Sequence, residues 1–165
     1  MESITEVMES TKVRSRYEAE RGKPMPSLNH AIVQKRLLVK LDSTYGEQFE
    51  VLPEVNVAVT PKRDRVPDLT ICKEAAFSPG HDRPHLTEPP LCVIEILSPK
   101  QNLSELINKS TEYFEMGVPS YWLVIPELRT VHVFHQPGES RVFTHRDTLR
   151  DESLEVELDL GEVFR

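Results

Sequence analysis

The stretch PPLCVIEILSPK, residues 89–100, is apolar or proline as far as Ile96 with one exception, Glu95. A short apolar run bounded by prolines is the pattern of a strand buried on both faces. It is followed by NLSELINKSTEYFEMG (102–117), which has helical spacing, and then by SYWLVIP (120–126), a second apolar strand. Strand, helix and strand in this order predict a parallel crossover. The packing face of the helix is expected at Leu103, Leu106, Ile107, Ser110, Phe114 and Gly117. Glu95 then poses the chemical question. A carboxylate taken out of water costs several kcal/mol unless it is paired, protonated or metal-bound.

Working outward, residues 1–16 are polar with a weak helical pattern at Ile4, Val7 and Met8, and suggest a peripheral N-terminal helix. Glycine and proline punctuate 22–26. SLNHAIVQKRLLVKL (27–41) predicts a helix capped by Ser27, with Val33, Leu37 and Leu41 inward. GEQFEVLPEVNVAV (46–59) reads as a strand or hairpin, PKRDR (61–65) as a basic turn, and VPDLTIC (66–72) as a short strand. Residues 73–90, rich in Pro, His and charge, are expected to form a surface loop. TVHVFH (130–135), SRVFTHR (140–146) and LEVEL (154–158) complete the strands. The sum is an α/β chain with a mixed central β-sheet flanked by α-helices, in a single domain spanning 1–165.

The composition, 38% hydrophobic and 28% charged over 165 residues, suits a globular domain with its own core. A formal net charge of −7 argues against a protein that coats nucleic acid non-specifically, though not against a local basic patch. Cys72 and Cys92 lie in apolar runs and read as buried thiols of a reducing compartment. The N-terminus lacks a signal profile and no apolar run approaches membrane-spanning length, so a cytoplasmic protein is expected.

The chemistry begins with Asp68 and Glu95. Asp68 opens the PDLTI strand and Glu95 lies inside the next strand along the chain. If those strands pair, the two carboxylates converge, and a divalent cation is the usual way to keep both ionised. Lys109 shares its side of the following helix with Leu106 and Tyr113, so its long stem can reach toward them. Taken singly, Asp68 also reads as a turn cap, Glu95 as a salt-bridged core acid and Lys109 as a solvated helix lysine. His30 falls on the inward side of its helix, where a satisfied core histidine is the plainer reading.

Taken together, VPDLTI, PPLCVIEILSP and LINKSTEYFEMGVPSYWLV resemble the PD-(D/E)XK nuclease superfamily. The restriction endonuclease-like group called the Uma-two family is the nearest likeness, over roughly Tyr17 to His135. The resemblance implies a restriction endonuclease-like fold, with Asp68 and Glu95 as ligands of Mg²⁺ or Mn²⁺. Leu97 stands where the superfamily usually has its lysine, which implies Lys109 as the catalytic lysine, with Lys100 a weaker candidate. The family's N-terminal glutamate corresponds to Glu18 and its histidine to His30. In that segment Ala19, Arg21 and Lys23 replace the expected apolar and acidic residues.

The expected activity is metal-dependent hydrolysis of DNA phosphodiester bonds by Asp68, Glu95, Lys109 and Glu18, with Lys62, Arg63 and Arg65 meeting phosphate. The expected partners are DNA and a second copy of the chain, with no membrane. The competing reading is an inactive nuclease-fold module that binds nucleic acid or protein.

Overall fold

A computed structural model describes residues 16–165. The expected peripheral helix over 1–16 lies outside the described residues except at Arg16. The elements are α1 (Arg16–Arg21), α2 (Leu28–Tyr45), β1 (Glu50–Pro53), β2 (Val57–Thr60), β3 (Arg63–Arg65), β4 (Leu69–Cys72) and β5 (Cys92–Ile96). They continue with α3 (Leu103–Met116), β6 (Ser120–Ile125), β7 (Thr130–Gln136), β8 (Glu139–Thr144), β9 (Thr148–Asp151), β10 (Val156–Asp159) and α4 (Leu160–Val163).

The central sheet has six strands in the order β1-β4-β5-β6-β7-β8. β5 and β6 run parallel, joined by α3, and the other pairs in this sheet are antiparallel. This is the mixed sheet the sequence implied. β5 is the hinge of the architecture, being buried along its whole length. Its alternate residues feed two cores. Ile94 and Ile96 join Val33, Leu37, Leu41, Trp122 and Val124 on the α2 side, whereas Val93 joins Leu106, Tyr113, Tyr121 and Leu123 on the α3 side. Period-two alternation therefore points Glu95 to the α3 face.

α2 starts where Ser27 accepts a hydrogen bond from the backbone N–H of His30. α3 starts at Asn102, whose side chain accepts from Ser104, and ends at Gly117 with φ +106°, a left-handed conformation that a side chain would strain. Two backbone hydrogen bonds from Gly117 and Val118 close that turn.

Several local expectations are corrected. β1 and β2 do not form a hairpin with each other. β1 pairs with β4 and β2 with β3, because Glu54 takes φ +51° and turns the chain out of the first sheet. The basic segment is not simply a turn, since Arg63 and Arg65 lie on β3. The buried face of α3 is Leu106, Ser110 and Tyr113, while Leu103 and Ile107 are 40% and 39% exposed. Tyr113 wins the face because its ring stacks on Tyr121 of β6, with centroids 5.9 Å apart. β9 and α4 are additional to the sequence reading. Cys72 and Cys92 are both buried and free, and burial pushes each thiol up, Cys72 to about 11.

Candidate functional site

The register that pairs Leu69 with Ile94 sets the preceding residue, Asp68, opposite the following one, Glu95. Pro67 and the apolar β4 fix Asp68 at the edge of the ladder, where its Oδ2 accepts a 2.7 Å hydrogen bond from the backbone N–H of Ile96. Gln34 of α2 donates to the Asp68 carbonyl at 3.0 Å, which anchors the backbone beneath it. Asp68 and Glu95 are 0% and 1% exposed.

What answers these charges comes from the end of α1, the segment after it and the start of α2. The Lys23 ammonium donates to Asp68 Oδ1 at 2.9 Å and to Glu95 Oε2 at 3.0 Å. Arg21 places Nη2 3.3 Å from the same Asp68 oxygen and 2.8 Å from Glu54 Oε1. His30 Nε2 lies 3.1 Å from Asp68 Oδ1. On the α3 side, the Tyr113 hydroxyl donates to Glu95 Oε1 at 3.4 Å.

The electrostatics follow from this crowding. Burial pushes the Asp68 carboxyl up, but the His30 contact, the Lys23 charge and the Ile96 N–H together hold it well below the usual carboxylate range. Burial also dominates at Glu95, and with the like charge of Asp68 it leaves that carboxyl raised against the pull of Lys23 and Lys109. Burial disfavours the Lys23 ammonium, yet the two acids more than offset this and raise it. Lys109 sits half-buried at the border of α3, within the field of Glu95. Burial holds its amine below the ordinary lysine range, and the nearby charges of Lys23 and Arg65 add to that.

Asp68, Glu95 and His30 are thus brought together around Lys23, with Lys109 of α3 near enough for its charge to act on Glu95. Glu18 lies on α1 and its Oε1 accepts from the backbone N–H of Met25, which ties down the loop that carries Lys23. Lys100 is exposed just past β5. Of the basic residues, Lys62 is exposed, but Arg63 and Arg65 converge on Glu112 of α3. Arg65 binds it in a fork at 2.8 and 3.0 Å, and Arg63 at 2.6 Å. Sequence reasoning missed Lys23, Arg21 and Glu112. The signal for the first two was present in the segment RYEAERGK, where basic residues replace expected acids in a chain whose buried carboxylates need a counter-charge.

Residues 8–163 match the family model described as "Putative restriction endonuclease", Uma2. The chain belongs to this family. A solved structure described as a "putative nuclease belonging to DUF820", from Anabaena variabilis, superposes with a TM-score of 0.74 at 21% identity. The match covers 86% of this chain and 83% of that one. At that identity the likeness speaks for the fold. No curated protein matches the chain.

Restriction endonuclease-like nucleases commonly use a divalent cation. Among the described residues, no group of three or more His, Cys, Asp and Glu side chains is arranged to hold a metal. Asp68 Oδ1 and Glu95 Oε2 nevertheless converge on one cation, the Lys23 ammonium. Two hard carboxylate oxygens fit Mg²⁺ or Mn²⁺, which take one or two carboxylates and complete their shell with water and phosphate.

Proposed function

We propose that this family member is an endonuclease that hydrolyses phosphodiester bonds of DNA at the Asp68–Glu95 pair. The observation that carries the reading is the convergence of two buried carboxylate oxygens on one cation beside a half-buried lysine. Asp68 and Glu95 would hold the Mg²⁺ or Mn²⁺ ion, which when bound supplies Lewis-acid polarisation of the phosphoryl oxygen and a more acidic water.

The protein's own groups do the rest. Lys109 orients the attacking water, and its charge offsets the negative charge that builds on phosphorus. The water oxygen bonds to phosphorus and gives up a proton to solvent as the ester P–O bond breaks, and the departing oxygen takes up a proton from solvent. The Ile96 N–H and His30 fix the Asp68 carboxylate in its rotamer, so no reorganisation is needed as charge develops. Glu18 holds the approach loop and is a candidate to hold a water. Lys62, with the outward edges of Arg63 and Arg65, meets the phosphate backbone. Two copies acting together would address both strands.

Cleavage of plasmid DNA with Mg²⁺ or Mn²⁺ by the native protein but not by Glu95→Ala supports this function. Equal background cutting by both contradicts it. One observation favours a second reading, an inactive nuclease-fold module that binds nucleic acid or protein. The acid pair is already paired from within by Lys23 and Arg21.

A further inference from the structure

Lys23 is not an ordinary buried lysine. Its nitrogen is nearly equidistant from one oxygen of Asp68 and one of Glu95, 2.9 and 3.0 Å, with only 4% of the side chain exposed. That point is where a shared cation of the two acids must sit. Lys23 reaches it from the loop just after α1. Among the described residues α1 buries none; Arg21 ties it to Glu54 and Asp68, Tyr17 ties it to Glu54, and the Glu18–Met25 hydrogen bond ties it to the loop that follows. Two more cations face the same centre: Arg21, against Asp68, and Lys109, within the field of Glu95. A divalent ion shared by the same two oxygens would take the point the ammonium holds and be repelled by it, so it binds there only as Lys23 leaves.

We propose that Lys23 is the internal cation of this site and sets its metal affinity, the divalent ion binding only as the Lys23 ammonium is displaced from between Asp68 and Glu95. This rests on the reading of the pair as a metal-holding site. It makes Lys23 a positioning residue that decides how much free metal the protein needs. α1 has no buried residue, so the cost of displacement is expected in the ion pairs.

The test is calorimetric titration of the full chain with Mn²⁺, with thermal melting in parallel, for the native protein, Lys23→Met and Lys23→Glu. Lys23→Met keeps the length and removes the charge, and Lys23→Glu adds an oxygen donor at the same place. Both variants are expected to bind Mn²⁺ at least tenfold more tightly than the native protein. Without metal, Lys23→Met is expected to melt below the native protein, and Mn²⁺ to restore it. Adding Asp68→Asn to Lys23→Met should abolish the gain. Equal affinity in native and variant proteins overturns the role of Lys23 while leaving the metal site standing. Absence of binding in all three overturns both. A gain that survives Asp68→Asn puts the ion elsewhere and overturns the proposal, as does failure of both variants to fold with or without Mn²⁺.

Discussion

Among the described residues, two places bury carboxylates, and they are answered in opposite ways. Asp151, at the end of β9, is 1% exposed and sits under β6 and β7. It accepts from the Ser120 hydroxyl, from Trp122 Nε1 at 2.7 Å, and from the N–H and hydroxyl of Ser153 at 3.0 and 2.7 Å. His135 Nε2 lies 2.9 Å away. Burial pushes the Asp151 carboxyl up, but these donors together bring it below the ordinary range. The Asp68–Glu95 pair, in contrast, is answered by Arg21 at the end of α1, Lys23 on the loop beyond it and His30 of α2. Dipoles fixed on strands and an adjoining turn make Asp151 a structural rivet. The other pair is held by charged groups, whose place a metal ion takes on the proposal above. Burial of an acid does not by itself mark a site; the kind of partner that compensates it does.

The contrast can be broken at either end. The largest effect is expected in activity. Asp68→Asn or Glu95→Ala should lower plasmid cleavage on the order of a thousandfold, as removal of a group that stabilises transition-state charge does. Asp151→Asn should leave the rate within about threefold at a temperature where it remains folded, far short of the losses that accompany removal of catalytic groups. Loss of cleavage in Asp151→Asn would erase the distinction.

Stability should show the next largest effect. Lys23→Met leaves two buried acids underpaired and should cost about 3–5 kcal/mol in urea unfolding. Asp151→Asn leaves donors facing donors and should cost about 1–3 kcal/mol. Mn²⁺ should offset the first loss and not the second.

The acid limb of stability sharpens the comparison further. Asp151 is depressed in the folded state, so the unfolded chain binds more protons between the two pKa values. Its contribution is therefore complete above the unfolded value of about 3.9 and is lost as pH falls through the lower folded value. Asp68 follows the same sign. Melting temperatures measured from pH 5 to pH 2 should fall less steeply in Asp151→Asn than in the native protein, because one such group is gone. An unchanged slope would mean that Asp151 is not depressed.

The smallest effect concerns Glu112, which holds Arg63 and Arg65 from partly exposed positions. Glu112→Gln should change stability by no more than about 1 kcal/mol. Released from the carboxylate, the two arginines should bind DNA phosphate several-fold more tightly in low salt, with a steeper salt dependence in a fluorescence anisotropy titration. Unchanged DNA affinity would remove β3 from the binding surface.

The sequence made the centre of the fold legible because β5, α3 and β6 carry strong and distinct periodicities. The pairing that brings Asp68 opposite Glu95 followed from two adjacent apolar segments. The side of α3 occupied by Lys109 was legible from its spacing to Leu106 and Tyr113, although Leu103 and Ile107 were misassigned inward. Their exposure depends on how α3 lies over β6, which periodicity does not contain. β9 and α4 were missed because TLRD and LGEV are too short to show a period. Lys23 and Arg21 were visible as departures from a family pattern, but their destination was not. Only the chain's path through Gly22, at φ +68°, brings the next residue back onto the acids.

The most direct measurement is anomalous diffraction at the manganese edge from crystals of Lys23→Met grown with Mn²⁺. One ion is expected in contact with both Asp68 and Glu95, at the point held by the Lys23 ammonium in the native chain. Manganese bound elsewhere, or absent from between the two acids at saturating concentration, would contradict it.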